Sequence, residues 1–244
     1  MLSDIEGKAA SVALAQRAVF DVSSEVRETA VSVLARRPAE EYQKTLVDGL
    51  RYPWPAAADH AAEALAALKN KEATPYLITM LKEPDPRLPI KENKTYYIRE
   101  LVRMSHMSNC MVCHAPSLSK EDLVRGRVPV PGEDPPPLYY AHRTGTFVRA
   151  DTTFLKQDFS LMQPVANAGK WPGNQRFDYL VRARPLNPAE IRSFQALEKS
   201  GKITADYPQK EAVLFALRAM TGRDEGSSYE GWAPLLKGIP KGDR

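Results

Sequence analysis

Five consecutive residues carry the clearest chemistry in this chain: Cys110, Met111, Val112, Cys113 and His114. The order C-x-x-C-H is the signature of covalent haem attachment. Two thiols at this spacing can add to the two vinyl groups of one porphyrin. The imidazole after the second thiol then falls beneath the iron as proximal ligand. These are the only 2 cysteines in 244 residues, so no disulfide is possible once both are alkylated. A thioredoxin-like thiol pair would need a βαβ context, which the helical pattern around the motif does not offer. A zinc site would need a second Cys/His pair at ligand spacing, and none is present. The expectation is one covalent haem c, attached through Cys110 and Cys113 with His114 on the iron.

The sixth iron position decides the chemistry, and its candidates are His106, His142, His60 and a methionine. Apolar residues Ile98, Leu101, Val102 and Met104 predict a helix over 96–109 that runs into the motif. On such a helix His106 and His114 would be separated by roughly 12 Å on the same side of the haem, at about 1.5 Å rise per residue. That geometry makes His106 a packing or hydrogen-bonding residue. Met104, Met107 and Met111 share the objection and pack against the porphyrin. His60 falls on a polar helix face, solvated. Met162 and His142 remain, beside a site left open. Met162 lies in an apolar stretch with Pro164 two residues on, and 48 residues separate it from His114.

The elements that must position these groups are largely helical. Amphipathic helices are predicted over 5–20, 25–37, 38–50, 56–69 and 72–82, broken at Asp21–Ser24, Pro38, Pro53–Pro55 and Pro84–Pro86. A polar connector follows at 87–95. Beyond the motif, 119–126 reads as a short capped helix, and 128–137 carries five prolines and excludes regular structure. Residues 139–165 read as short extended segments or a loop folded over the haem. Asn187, Pro188 and Glu190 supply an N-cap, a proline at N1 and an acidic N3 for a helix over 188–200. Helices over 209–220, stopped by Gly222, and 227–236, with Ser227 and Glu230 at capping-box spacing, close the chain.

Residues 24–34 align with 56–66 at an offset of 32, each followed by a second helix. On the acidic turn at Asp21, the Val26-Arg27 pair and Ala30, this part resembles HEAT repeats, which implies a stacked helical solenoid. Residues 91–200 resemble the small c-type cytochromes on the Cys110–His114 motif. That resemblance implies a helix ending in the motif, a loop supplying Met162 as sixth ligand, and a closing helix. The expected fold is mainly α: HEAT-like repeats over 1–90, a cytochrome c-like haem segment with a long proline-rich loop over 91–200, and C-terminal HEAT-like helices over 201–244.

Composition sets the partners. Residues 1–90 hold 11 Lys/Arg and 13 Asp/Glu, a net of −2; the remaining 23 and 17 give 91–244 a net of +6. A basic haem-bearing part favours an acidic redox partner. No basic run is dense enough for nucleic acid, and no apolar run is long enough to span a membrane. Haem c is attached outside the cytoplasm in bacteria, so an exported, periplasmic protein is expected, with a signal peptide missing from this chain. The leading reading is single-electron transfer by a mono-haem c-type cytochrome that docks through helical repeats. The alternatives are a haem enzyme or sensor with an open sixth site, where His142-Arg143 resembles a peroxidase-like distal pair, or an interaction scaffold with structural haem.

Overall fold

The computed structural model describes residues 4–109, 159–203 and 206–238. In chain order these form α1 (Lys8–Phe20), α2 (Ser24–Leu34), α3 (Ala39–Gly49), α4 (Pro55–Ala67) and α5 (Thr74–Met80). Strands β1 (Ile90–Glu92), β2 (Thr95–Ser105), β3 (Phe159–Pro164) and β4 (Asn174–Pro185) follow, then α6 (Pro188–Lys199), α7 (Pro208–Thr221) and α8 (Tyr229–Trp232). They divide into two units: Met1–Pro86 with Ser200–Arg244, and Arg87–Lys199.

The first unit is the helical one. Ser23 caps α2 by accepting from the Val26 N–H at 3.4 Å, and Pro55 starts α4 at N1, where its missing N–H costs nothing. The 32-residue offset makes α2 and α4 equivalent helices, each followed in the chain by another helix, α3 or α5. Arg27, half of the Val-Arg pair, bonds the carbonyls of Asp21 and Val22 at 3.0 and 3.2 Å and so locks the turn before its own helix. Leu34, Leu46, Leu65, Leu77 and Ile78 are completely or almost completely buried between the layers. Gly49 permits a close helix approach: a Cβ there would sit 3.0 Å from the Ala61 Cβ and 3.1 Å from Val19 Cγ1.

The C-terminal helices extend this stack. α7 packs on α4 and α5, with Leu214 and Leu217 fully buried. Gln209 Nε2 donates to the Tyr52 carbonyl at 2.9 Å, and the Tyr207 hydroxyl to that of Glu83 at 2.6 Å. α7 ends at Gly222, whose φ of 68° is the left-handed cap that glycine adopts freely. The cap of α8 is Ser228, not Ser227: its Oγ accepts from Gly231 N at 3.4 Å.

The second unit contains a four-stranded antiparallel sheet in the order β1-β2-β4-β3. This corrects the expected helix over 96–109, puts β1 inside the expected connector over 87–95, and adds a sheet to a fold expected to be mainly α. Thr95, Tyr96, Tyr97, Ile98 and Val102 are β-branched or aromatic, types that fit a pleated surface better than a helix. Asn93, at φ 56°, makes the tight turn joining β1 to β2, with Glu92 opposite Thr95. β4 is central and pairs with β2 along its full length, from Tyr97↔Pro185 to Ser105↔Phe177. The helix over 188–200 forms as α6. Asn187 Oδ1 accepts from the Ala189 and Glu190 N–H groups at 2.9 Å, and Glu190 returns a bond to Asn187 N at 2.8 Å.

Candidate functional site: a buried carboxylate at the root of the Cys motif

Strand pairing fixes which side chains share a face. Residues opposite one another point the same way, and the period is two. Ser160, Asp178 and Met104 therefore share one face, along with Met162 and Arg176, Val102 and Leu180, and Glu100 and Arg182. β2 ends at Ser105, and the chain turns through a 3₁₀ turn, His106–Ser108, that brings His106 and Asn109 onto Asp178.

Asp178 is fully buried. His106 Nδ1 donates to both its oxygens, at 3.0 and 2.9 Å. Asn109 Nδ2 donates to Oδ2 at 2.8 Å and the Ser160 hydroxyl to Oδ1 at 2.7 Å. Arg176 Nε in turn donates to Ser160 Oγ. A buried carboxylate is tolerated only when its lone pairs are filled in this way. The arrangement is not a nucleophile triad, because Ser160 bonds the carboxylate and not the imidazole. It fixes the ring of His106 and anchors Asn109, itself buried, one residue before Cys110.

Further along the same face, Glu100 accepts from Arg182 Nε and Nη2 at 3.0 and 2.8 Å and from Arg184 Nε at 2.8 Å. Arg182 is only 4% exposed and depends on that pairing. Arg184 also grips Glu190 at 2.7 and 2.8 Å, which ties the N-terminus of α6 to β4. The Arg184 hydrogen bond, helped by the Asn187 N–H, holds the Glu190 carboxyl down at about 2. Arg184 is pushed further up by the same bond. Tyr96 and Phe194 meet edge to face at 5.9 Å, so α6 lies over this end of the face.

Of the residues expected at the haem, Cys110, Cys113, His114 and His142 lie outside the described residues, as do the predicted helix over 119–126 and the proline run at 128–137. Met162 is described. It sits on a strand rather than a loop, opposite Arg176, and is 61% exposed. Counting two residues from Ser160, it is about 7 Å along the strand from the Asp178 cluster, at roughly 3.4 Å per residue. His106 is in a 3₁₀ turn and not on a helix leading to the motif, so helical rise does not set its ring's position. Met104 is half-buried on the sheet face and Met107 is exposed. His60 is not a solvated ring: its Nδ1 donates to the Val19 carbonyl at 2.9 Å and its edge meets Trp54. Asp178, Asn109 and Ser160 were not singled out by the sequence. The one available signal is a carboxylate in an otherwise alternating strand, Phe177-Asp178-Tyr179-Leu180, at a position that faces inward.

Among the described residues no group of three or more His, Cys, Asp or Glu side chains is arranged to hold a metal ion by itself. No helix among them is long and apolar enough to cross a membrane. Residues 11–90 match the family model for HEAT repeats. This part of the chain is similar to HEAT repeats, and the described residues combine these helices with an antiparallel sheet. No curated protein and no solved structure matches the chain.

Proposed function

We propose that the chain is an exported mono-haem c-type electron carrier, with haem attached through Cys110 and Cys113, His114 on the iron, and HEAT repeats as its docking surface. The observation that carries the reading is the C-x-x-C-H order itself. The sheet supports it. The last described residue before the motif, Asn109, is pinned to Asp178, and two iron-competent donors, His106 and Met162, share that face. These are donor types that would suit haem iron. Bound haem would supply one-electron cycling between Fe(III) and Fe(II). The residues themselves attach it, orient it and hold its ligands. The +6 balance of residues 91–244 favours an acidic redox partner.

A test is export of the full chain, behind a signal peptide, in a host that attaches haem c. After denaturation and acid–organic extraction, the colour should stay with the polypeptide. Release of all haem into the organic phase would sink the proposal.

A second reading, an interaction scaffold, is favoured by the HEAT match. Between α2 and α4 lies a groove of about 380 Å³, with Val31, Ala64 and Leu68 in its lining and Arg27, Glu28 and Glu63 among its charged groups. Such grooves between repeats suit a bound segment. Capture of the same partner by the full chain and by a chain lacking both thiols would favour the scaffold.

A further inference from the structure

We propose that the hairpin end between β3 and β4 docks on an anionic lipid surface, with Trp171 at headgroup level and Lys170 beside the lipid phosphates. No part of this site lies in the Cys110–His114 motif, and haem attachment does not bear on it. Pairing of β3 with β4 reaches Pro164↔Asn174, and Val165 N donates to the Gly173 carbonyl at 2.7 Å, closing the base of the connection. Within it the chain reverses through two left-handed residues, Asn167 at φ 57° and Gly169 at φ 59°. Trp171 N then donates to the Ala168 carbonyl at 3.0 Å, which orders the backbone under the indole. On this turn the Trp171 side chain is 70% exposed. Of the 3 tryptophans in the chain, Trp232 is fully buried and Trp54 half-buried.

Charge around the indole has one sign. From Pro164 to Gln175 the only charged side chain is Lys170, beside exposed Ala166, Trp171 and Pro172. Behind the tip, each sheet face carries an exposed guanidinium: Arg176 on the Asp178 face, and Arg103, over the Phe177 ring at 4.7 Å, on the other. No carboxylate lies between Phe159 and Phe177, and Asp178 is fully buried. An indole prefers the membrane–water interface, where its apolar body and polar N–H are both accommodated. Each nearby Lys or Arg gains from the negative potential of anionic lipid. A folded protein partner fits less well. Stable protein interfaces take about 20–30 residues a side, whereas this end spans only residues 164–176. Lipid contact needs no such area, because a shallowly inserted ring and a few cations act together.

The experiment is co-sedimentation of the full chain with vesicles of phosphatidylcholine, alone or with about one third phosphatidylglycerol. The anionic vesicles should carry the chain down at low salt and release it as salt rises. Tryptophan emission should shift to the blue on binding. Trp171→Ser should abolish that shift, because the remaining indoles are already sheltered. Lys170→Glu should weaken binding about twenty-five-fold, at roughly fivefold for each of two units of charge. Lys170→Arg keeps the charge and should bind as the wild type does. Both positions are exposed on a turn, so circular dichroism of each variant should match the wild type. Failure to bind the anionic vesicles, equal binding to both kinds, an unshifted emission, or wild-type binding by Lys170→Glu would each overturn the proposal. Binding to soluble polyglutamate but not to the anionic vesicles would assign the tip to an acidic protein instead, and overturn it too.

Discussion

Replacing Asp178 with Ala removes one acceptor from three donors, and the cost can be assembled from their surroundings. Asn109 is 5% exposed, so its Nδ2 loses a buried charge-assisted bond, about 1–3 kcal/mol. His106 and Ser160 are partly exposed and water can replace some of what they lose, so each is assigned about 0.5–1.5 kcal/mol. The total is about 2–6 kcal/mol, in the range seen when one partner of a buried charged network is removed. Asp178→Asn keeps the shape and one carbonyl oxygen. Ser160 can turn its hydroxyl to accept from the new amide, and the loss falls to about 1–2 kcal/mol. Because the chain divides into two compact units, hydrogen exchange read element by element is the suitable assay. With Asp178→Ala, the amides of central strand β4 should exchange about thirtyfold faster or more, at a factor of ten per roughly 1.4 kcal/mol. Those of α4 and α7 should not change. A change of less than threefold in β4, or equal acceleration in both units, would refute the idea that Asp178 organises this sheet face.

Three further outcomes follow from the packing and the charges. Leu65→Ala opens a void at a fully buried position of α4 and should cost about 2–5 kcal/mol in a denaturant titration followed by circular dichroism; less than 1 kcal/mol would place Leu65 outside the repeat core. Glu190 has its carboxyl held at about 2 against an ordinary 4.5, so the folded state binds that proton less readily than the unfolded one. Its contribution is present above pH 4.5 and disappears as pH falls toward about 2, and Glu190→Gln should flatten the pH dependence of α6 exchange in that window. Burial first, then Asp85 and Glu83, pushes the Tyr207 phenol up to about 12. Its contribution is complete below its ordinary value of 10 and is lost as pH rises from 10 through 12; in an alkaline absorbance titration, one late-ionising tyrosine should be missing from Tyr207→Phe.

The helices of the first unit were legible because their information is local. Val26, Ala30, Val33 and Leu34 recur at helical spacing, alanines fill α4, and prolines mark the breaks, so each helix is recorded by neighbours within a few residues. The capping box at Asn187 and Glu190 and the left-handed stop at Gly222 were legible for the same reason. The 96–109 segment was not. Ile98, Leu101, Val102 and Met104 fit a helical stripe, and a short apolar run leaves period alone unable to choose between helix and strand. What chose was pairing with β4, where Val102 lies opposite Leu180, and no local pattern records a partner so distant.

That one ambiguity propagated into the chemistry. A helix through His106 would have carried its ring to the wrong side of the haem, and excluding it left Met162 as the natural sixth ligand. Once the segment is a strand ending in a 3₁₀ turn, His106 is no longer tied to helical rise and meets a carboxylate 72 residues away. The sheet also gives Met162 an ordered place on β3, on the face where the turn after β2 sets His106 against Asp178. A ligand set mounted on strands holds its geometry better than one on a mobile connection, because paired backbone limits the motion of each donor. The Cys110–His114 motif carries the expectation of haem attachment; the register of β2 on β4 determines which side chains share the face that ends at Asn109.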